Sequence, residues 1–138
     1  MTKIESKTGT LNYSDEEIFN FISNFDNFNN LIPQDKIKNW QSTKETCTFT
    51  IDGLGETGLK IIEKEPFKTI KITGNGKTPF DFNFWVQLKQ IAENDTKIKL
   101  TVKAEINQMM KMMIEKPLKQ GLDGLIDQIE DFFKNKYK

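Results

Sequence analysis

The chain has 138 residues, a formal net charge of zero, one cysteine, no histidine and no arginine. Without histidine it lacks the usual general base, metal ligand and physiological pH switch, and without arginine it lacks the usual reader of guanine and phosphate, so no nucleic-acid partner is expected. The length predicts one domain over residues 1–138, with room for a core that needs neither disulfides nor a metal.

Residues 3–13 read as an opening strand, although Ile4 and Leu11 fall on opposite faces unless a bulge intervenes. Ser14 followed by Glu17 forms a capping box, and Asp15, Glu16 and Glu17 suit the positive end of a helix dipole. Ile18, Phe21, Ile22 and Phe25 then make a helical stripe. Asp26 is the expected cap of a second short helix carrying Phe28, Leu31 and Ile32, with Pro33 ending it.

From Lys36 to Asn107 the period changes to two. Ile37 to Thr43, with Trp40, is a weak strand; Cys47, Phe49 and Ile51 alternate with threonines. Asp52-Gly53 turns the chain, Leu59 and Ile61 carry the next strand, and Pro66 breaks it. Ile70 and Ile72 precede Gly74-Asn75-Gly76, a hairpin signal. Phe80, Phe82, Phe84, Val86 and Leu88 alternate without a fault; after a turn at Asn94-Asp95, so do Ile98, Leu100, Val102, Ala104 and Ile106. One sheet face is therefore apolar and the other wet.

The terminal segment predicts a helix from Pro117, placed in the first turn, to Phe133. Leu118, Leu122, Leu125, Ile126, Ile129, Phe132 and Phe133 form its apolar stripe, while Lys119, Asp123, Asp127, Glu130 and Asp131 take the other, solvated side. Gly121 and Gly124 interrupt it about 60° apart around the axis, clearing either a hollow or a close helix–sheet contact. The apolar sheet face needs a cover, and only the helical segments can supply it. The expected fold class is α+β: a curved antiparallel sheet of six to seven strands gripping a long C-terminal helix, with two short helices after the first strand.

This order resembles the START-like, helix-grip (SRPBCC) superfamily, which includes birch-pollen-allergen-like and polyketide cyclase/dehydrase-type proteins. The resemblance spans nearly the whole chain. It rests on the opening strand with Ser14-Asp15-Glu16-Glu17-Ile18-Phe19, the short helices ending at Leu31-Ile32-Pro33, the meander and the terminal helix. It implies a sheet curled around the helix and an apolar cavity between them. Members bind lipids, sterols, polyketides or hormones, and a minority catalyse. No cyclase motif carries over residue by residue, so the resemblance supplies a fold rather than a site.

The candidate ligand-binding residues are Phe21, Phe25, Phe80, Phe82, Phe84, Met110, Met113, Gly121, Leu122 and Leu125. Met109, Met110, Met112 and Met113, four of the five methionines, cluster before the expected helix and suit an adaptable cavity wall or a greasy junction. Trp85 is out of phase with its phenylalanine neighbours and marks the outer face as a possible protein contact. Gly53-Leu54-Gly55-Glu56-Thr57-Gly58 spells a dinucleotide fingerprint but leads into a strand, so a turn and bulge are expected. No carboxylate pair in an apolar setting, nucleophile–base pair or metal set is legible, so no catalytic residue, metal or cofactor is assigned. The N-terminus has no apolar run and no window approaches about 18 apolar residues, so neither a signal peptide nor a membrane span is expected. With a single thiol this fits a cytoplasmic setting. The expected function is binding of a small hydrophobic molecule. The rivals are a protein-interaction module, co-chaperone-like or toxin-like, and a cyclase- or dehydratase-type enzyme using a carboxylate, Tyr13 or a bound water.

Overall fold

A computed structural model describes residues 1–29, 31–32, 35 and 37–136. Eight strands form one sheet: β1 (Thr2–Glu5), β2 (Gly9–Leu11), β3 (Ile37–Ser42), β4 (Thr46–Ile51), β5 (Gly55–Glu65), β6 (Thr69–Gly74), β7 (Asp81–Ala92) and β8 (Asp95–Glu105). Their order is β1-β8-β7-β6-β5-β4-β3, with β2 also on β8 and every pairing antiparallel. The sheet curves around a long C-terminal helix. Six to seven strands were expected; the eighth arises because the opening segment breaks in two at residues 6–8. That break lets Ile4 and Leu11 share the inner face, 4% and 1% exposed. Ser6 bridges it, its amide donating to the Leu100 carbonyl while its hydroxyl accepts from the Leu100 amide, each at 2.8 Å.

Helix α1 (Asp15–Ile22) is capped by Ser14, whose hydroxyl accepts from the Glu17 amide at 3.2 Å. A 3-10 turn follows at Phe25–Phe28. Its cap is Asn24, accepting from the Asp26 amide at 2.9 Å, so the expected cap at Asp26 is corrected by two positions. Pro33, the expected terminator, lies outside the described residues.

The terminal helix α2 runs Gln108–Asn135, nine residues earlier than expected. Asn107 caps it by accepting from the Met110 amide at 2.8 Å. Pro117 therefore sits in its interior, where a missing N–H usually costs about 3 kcal/mol, and the methionine cluster is helix rather than junction. Docking offsets that cost: Leu122, Ile126, Ile129 and Phe133 are 5%, 0%, 1% and 1% exposed.

The inner face is set by register. Phe82, Phe84, Val86 and Leu88 stand opposite Ala104, Val102, Leu100 and Ile98, so both alternating runs point to the helix side. The fingerprint-like glycines are structural. Gly53 and Gly55 take left-handed φ of 87° and 98°, and Gly55 opens β5, not a helix. A Cβ on Gly58 would stand 1.9 Å from the Asn75 carbonyl oxygen, so that strand passes the β6–β7 loop too closely for a side chain. The Asn75 amide donates to the Gly58 carbonyl there at 2.8 Å.

Candidate functional site

The helix is fixed from one flank. Asp123 accepts from the Lys7 amide at 2.6 Å, Asp127 pairs with the Lys7 ammonium, and Glu130 accepts from the Thr10 amide at 2.9 Å. These carboxylates, expected on a solvated face, tie α2 to the opening edge of the sheet. The Lys7 amide and then the Lys119 ammonium hold Asp123 below the usual carboxylate range. At Gly9 the helix comes close: a Cβ there would meet the Ile126 Cγ2 at 2.7 Å and the Ile98 Cγ2 at 3.0 Å. The far end is held by the Tyr13 hydroxyl, which donates to the Phe133 carbonyl at 2.8 Å.

So α2 packs over β1, β2 and β8. Beneath it Ile98, Leu100 and Ala104 are 0%, 1% and 0% exposed. Farther along the same face Cys47, Ile70, Ile72 and Val86 are buried as well, whereas Phe80, Phe82, Phe84, Leu59 and Ile61 are all half-buried. On the helix, steps of three and four place Leu118, Gly121, Leu125 and Phe132 on the flank away from Lys7 and Thr10. A methyl group at Gly121 or Gly124 would meet nothing within 4 Å. The close approach that glycine permits is at Gly9, a position the periodicity of α2 could not reveal.

The ten candidate residues fall into separate groups. Phe21 stacks on Phe132 with ring centroids 4.5 Å apart, at the C-terminal end of α2. Beside that pair Leu31, Gln128, Phe132 and Asn135 line a recess of ≈ 380 Å³. Phe25 is buried and edges against Phe28 and Trp40, at 5.9 and 6.4 Å. Phe80 and Phe82 meet at 5.7 Å, and Phe84 continues their row. Phe82 also borders a recess of ≈ 340 Å³, but its lining of Thr73, Asp81, Asn83, Lys103 and Glu105 belongs to the outer face by register. Leu122 is closed in the core, Leu125 and Gly124 are half-buried and Gly121 is exposed. Met110 is half-buried, whereas Met113 is 68% exposed on the outer side of the helix.

Trp85 lies on the outer face as expected, with the Lys71 and Lys103 ammonium groups 5.5 and 5.6 Å from its ring. Cys47 is 2% exposed, and burial pushes its thiol up to about 12, which removes thiolate chemistry. Among the described residues no group of three or more acidic, cysteine or histidine side chains could hold a metal. Among them also, no helix is long and apolar enough to cross a membrane. Sequence reasoning missed two side chains, Trp40 and Thr57. Within the described residues the Trp40 Nε1 and Thr57 Oγ1 are buried polar atoms without a hydrogen-bond partner. Only the strand register brings them to the same face.

No protein-family model matches this sequence, and no curated protein matches it. Solved structures do. A START superfamily protein from Mycobacterium smegmatis is similar at 12% identity and TM-score 0.77, over 97% of this chain and 98% of that one. XoxI from Bacillus cereus aligns at 12% identity and TM-score 0.75, over 100% and 99%. The Aha1 dimer from Colwellia psychrerythraea, a solution structure, aligns at 18% identity and TM-score 0.69, over the full length of both chains. At such identities the likeness is one of fold: an antiparallel sheet gripping a long C-terminal helix.

Proposed function

We propose that this chain, acting as one domain, binds a small hydrophobic molecule between the inner face of β4–β7 and the free flank of α2. The observation that carries the reading is a local one: Leu59, Ile61, Phe80, Phe82 and Phe84 stay half-buried on an inner face whose other members, Cys47, Ile70, Ile72 and Val86, are 2%, 0%, 4% and 5% exposed. Water-exposed aromatic surface on the inside of a grip is apolar area that a ligand can still desolvate, at about 25 cal/mol per Å². Phe82, Phe84 and Leu125 are the walls proposed to do this, with Phe80 and Met110 at the mouth and Phe21 and Phe25 behind. The inert thiol and the carboxylates engaged as helix ties favour binding over catalysis. A saturable rise in fluorescence of an apolar probe, and an organic molecule extracted from purified protein and seen by mass spectrometry, are the expected results. Absence of saturable binding across lipid and aromatic panels contradicts the reading.

A second reading is favoured by the indole of Trp85 held between two lysines on the outer face. Such a surface suits an acidic protein partner. Capture by the wild type and not by Trp85→Ala is its expected signature.

A further inference from the structure

Among the described residues, the inner face of β3–β5 carries two buried polar atoms without a hydrogen-bond partner. Trp40 lies on β3 just after a bulge, between Lys38 and Gln41, where Asn39 takes a left-handed φ of 58°. Its ring stacks on Phe49, with centroids 5.6 Å apart and planes 21° from parallel. Phe49 in turn stands directly opposite Thr57 on β5. Trp40 and Thr57 therefore flank one phenylalanine on one face. The next row along that face is Cys47, Leu59 and Gly74, in which Cys47 is 2% exposed and Leu59 half-buried.

Thr57 is 2% exposed, and among the described residues neither its Oγ1 nor the Trp40 Nε1 has a hydrogen-bond partner. A buried hydroxyl or indole N–H without a partner is destabilising, and most such groups in folded proteins are satisfied. The third such atom, the Asp95 Oδ1, differs because the Lys97 ammonium stands 3.7 Å away on the outer side. Nothing equivalent serves the other two.

We infer that Trp40 and Thr57 are the polar anchors of the proposed cavity, and that its ligand is an uncharged apolar molecule carrying an oxygen acceptor. This rests on the binding reading above. An indole nitrogen can only donate, so the atom facing Trp40 must accept. Thr57 offers a hydroxyl that donates to the same group or to a neighbouring oxygen. Neutrality follows from the wall. Among the described residues of β3 to β7, Lys64 is the one charged side chain in register with the inner face, and it is already paired with Glu45 at 2.9 Å. A carboxylate drawn into this setting would be an unpaired buried charge, whereas a ketone, ester or alcohol would not. Among the described residues the two groups stand without partners, and a ligand of the right chemistry relieves both.

Competition against a neutral phenylnaphthylamine probe tests this with three compounds of one shape: naphthalene, acetonaphthone and naphthoate. The ketone is expected to displace the probe at a concentration roughly three- to tenfold below that of the hydrocarbon, with the carboxylate weakest. Trp40→Phe and Thr57→Val should each reduce the ratio of ketone to naphthalene affinity. Without ligand, Thr57→Val should keep or raise the Tm, because the hydroxyl it removes has no partner. Equal displacement by ketone and hydrocarbon, a preference for the carboxylate, an advantage that survives in both variants, or a lowered Tm for Thr57→Val overturns the anchor assignment. If naphthalene still displaces the probe in that case, the cavity stands and only the anchors fall. If the probe never binds, both fall together.

Discussion

The two halves of one sheet face make the instructive contrast. Under α2, the face is built from Ile4, Leu11, Ile98, Leu100 and Ala104, none more than 4% exposed. Beyond it the face is mixed: Cys47, Ile70, Ile72 and Val86 are buried too, at 2%, 0%, 4% and 5% exposed, but Leu59, Ile61, Phe80, Phe82 and Phe84 keep part of their apolar surface in water. Hydrophobicity alone would put the helix over the phenylalanines. Where it lies, Asp123, Asp127 and Glu130 reach Lys7 and Thr10 on the opening edge. Polar contacts on one flank and the buried stripe on the other agree on the same position.

The contrast can be broken most drastically by removing the helix. A chain ending at Lys116 loses seven large apolar side chains, Leu118, Leu122, Leu125, Ile126, Ile129, Phe132 and Phe133. At about 1.5–3 kcal/mol each this exceeds the ~5–15 kcal/mol net stability of a typical domain, so circular dichroism should show no cooperative melt. A cooperative melt of that fragment would mean the sheet holds its own core.

A pair of truncations measures the two halves directly. Leu100→Ala, in the covered half, should cost about 2–5 kcal/mol in urea unfolding. Phe82→Ala removes a larger but half-exposed side chain and should cost less than about 2 kcal/mol. Equal losses would mean the outer half is packed as tightly as the inner.

Glycines sharpen the same division. Gly9→Ala forces Ile126 and Ile98 apart and should destabilise by about 1–3 kcal/mol. Gly121→Ala or Gly124→Ala meets open space and should stabilise by roughly 0.5–1 kcal/mol through helix propensity.

The smallest effect is that of pH. The folded protein holds Asp123 below its ordinary value, so its contribution is complete above the unfolded carboxylate pKa of about 3.9. It is lost as pH falls through the folded value. Asp123→Asn should therefore lower stability at neutral pH and flatten the acid limb of a Tm-versus-pH curve. An unchanged acid limb would show that Asp123 is no tie.

Local rules in the sequence carried much of this architecture. The period-two runs at Phe80–Leu88 and Ile98–Ile106 pair in register, and Ser14 caps α1 as its spacing implies. Pro117 misled, because proline favours a first turn and the start at Gln108 has only Asn107 as its signal. The carboxylates of α2 were legible as the polar side of an amphipathic helix, but their partners lie over a hundred residues away at Lys7 and Thr10. A break at residues 6–8 is what brings those amides to the helix. Trp40 was unreadable for a related reason: a bulge at Asn39 decides which way it faces, and no alternation announces a bulge. The candidate site was thus legible as a set of apolar residues. Its unsatisfied polar atoms depend on pairing between strands.

The most direct test is to titrate an apolar naphthalene probe into isotopically labelled protein and follow backbone and side-chain NMR shifts. Saturable shifts at Leu59, Ile61, Phe82, Phe84 and Leu125, with Ile98, Leu100 and Ala104 silent, are the predicted result. Shifts confined to the outer face around Trp85 or to Met109, Met112 and Met113, or no shift at all, would contradict a ligand held in the open half of the grip.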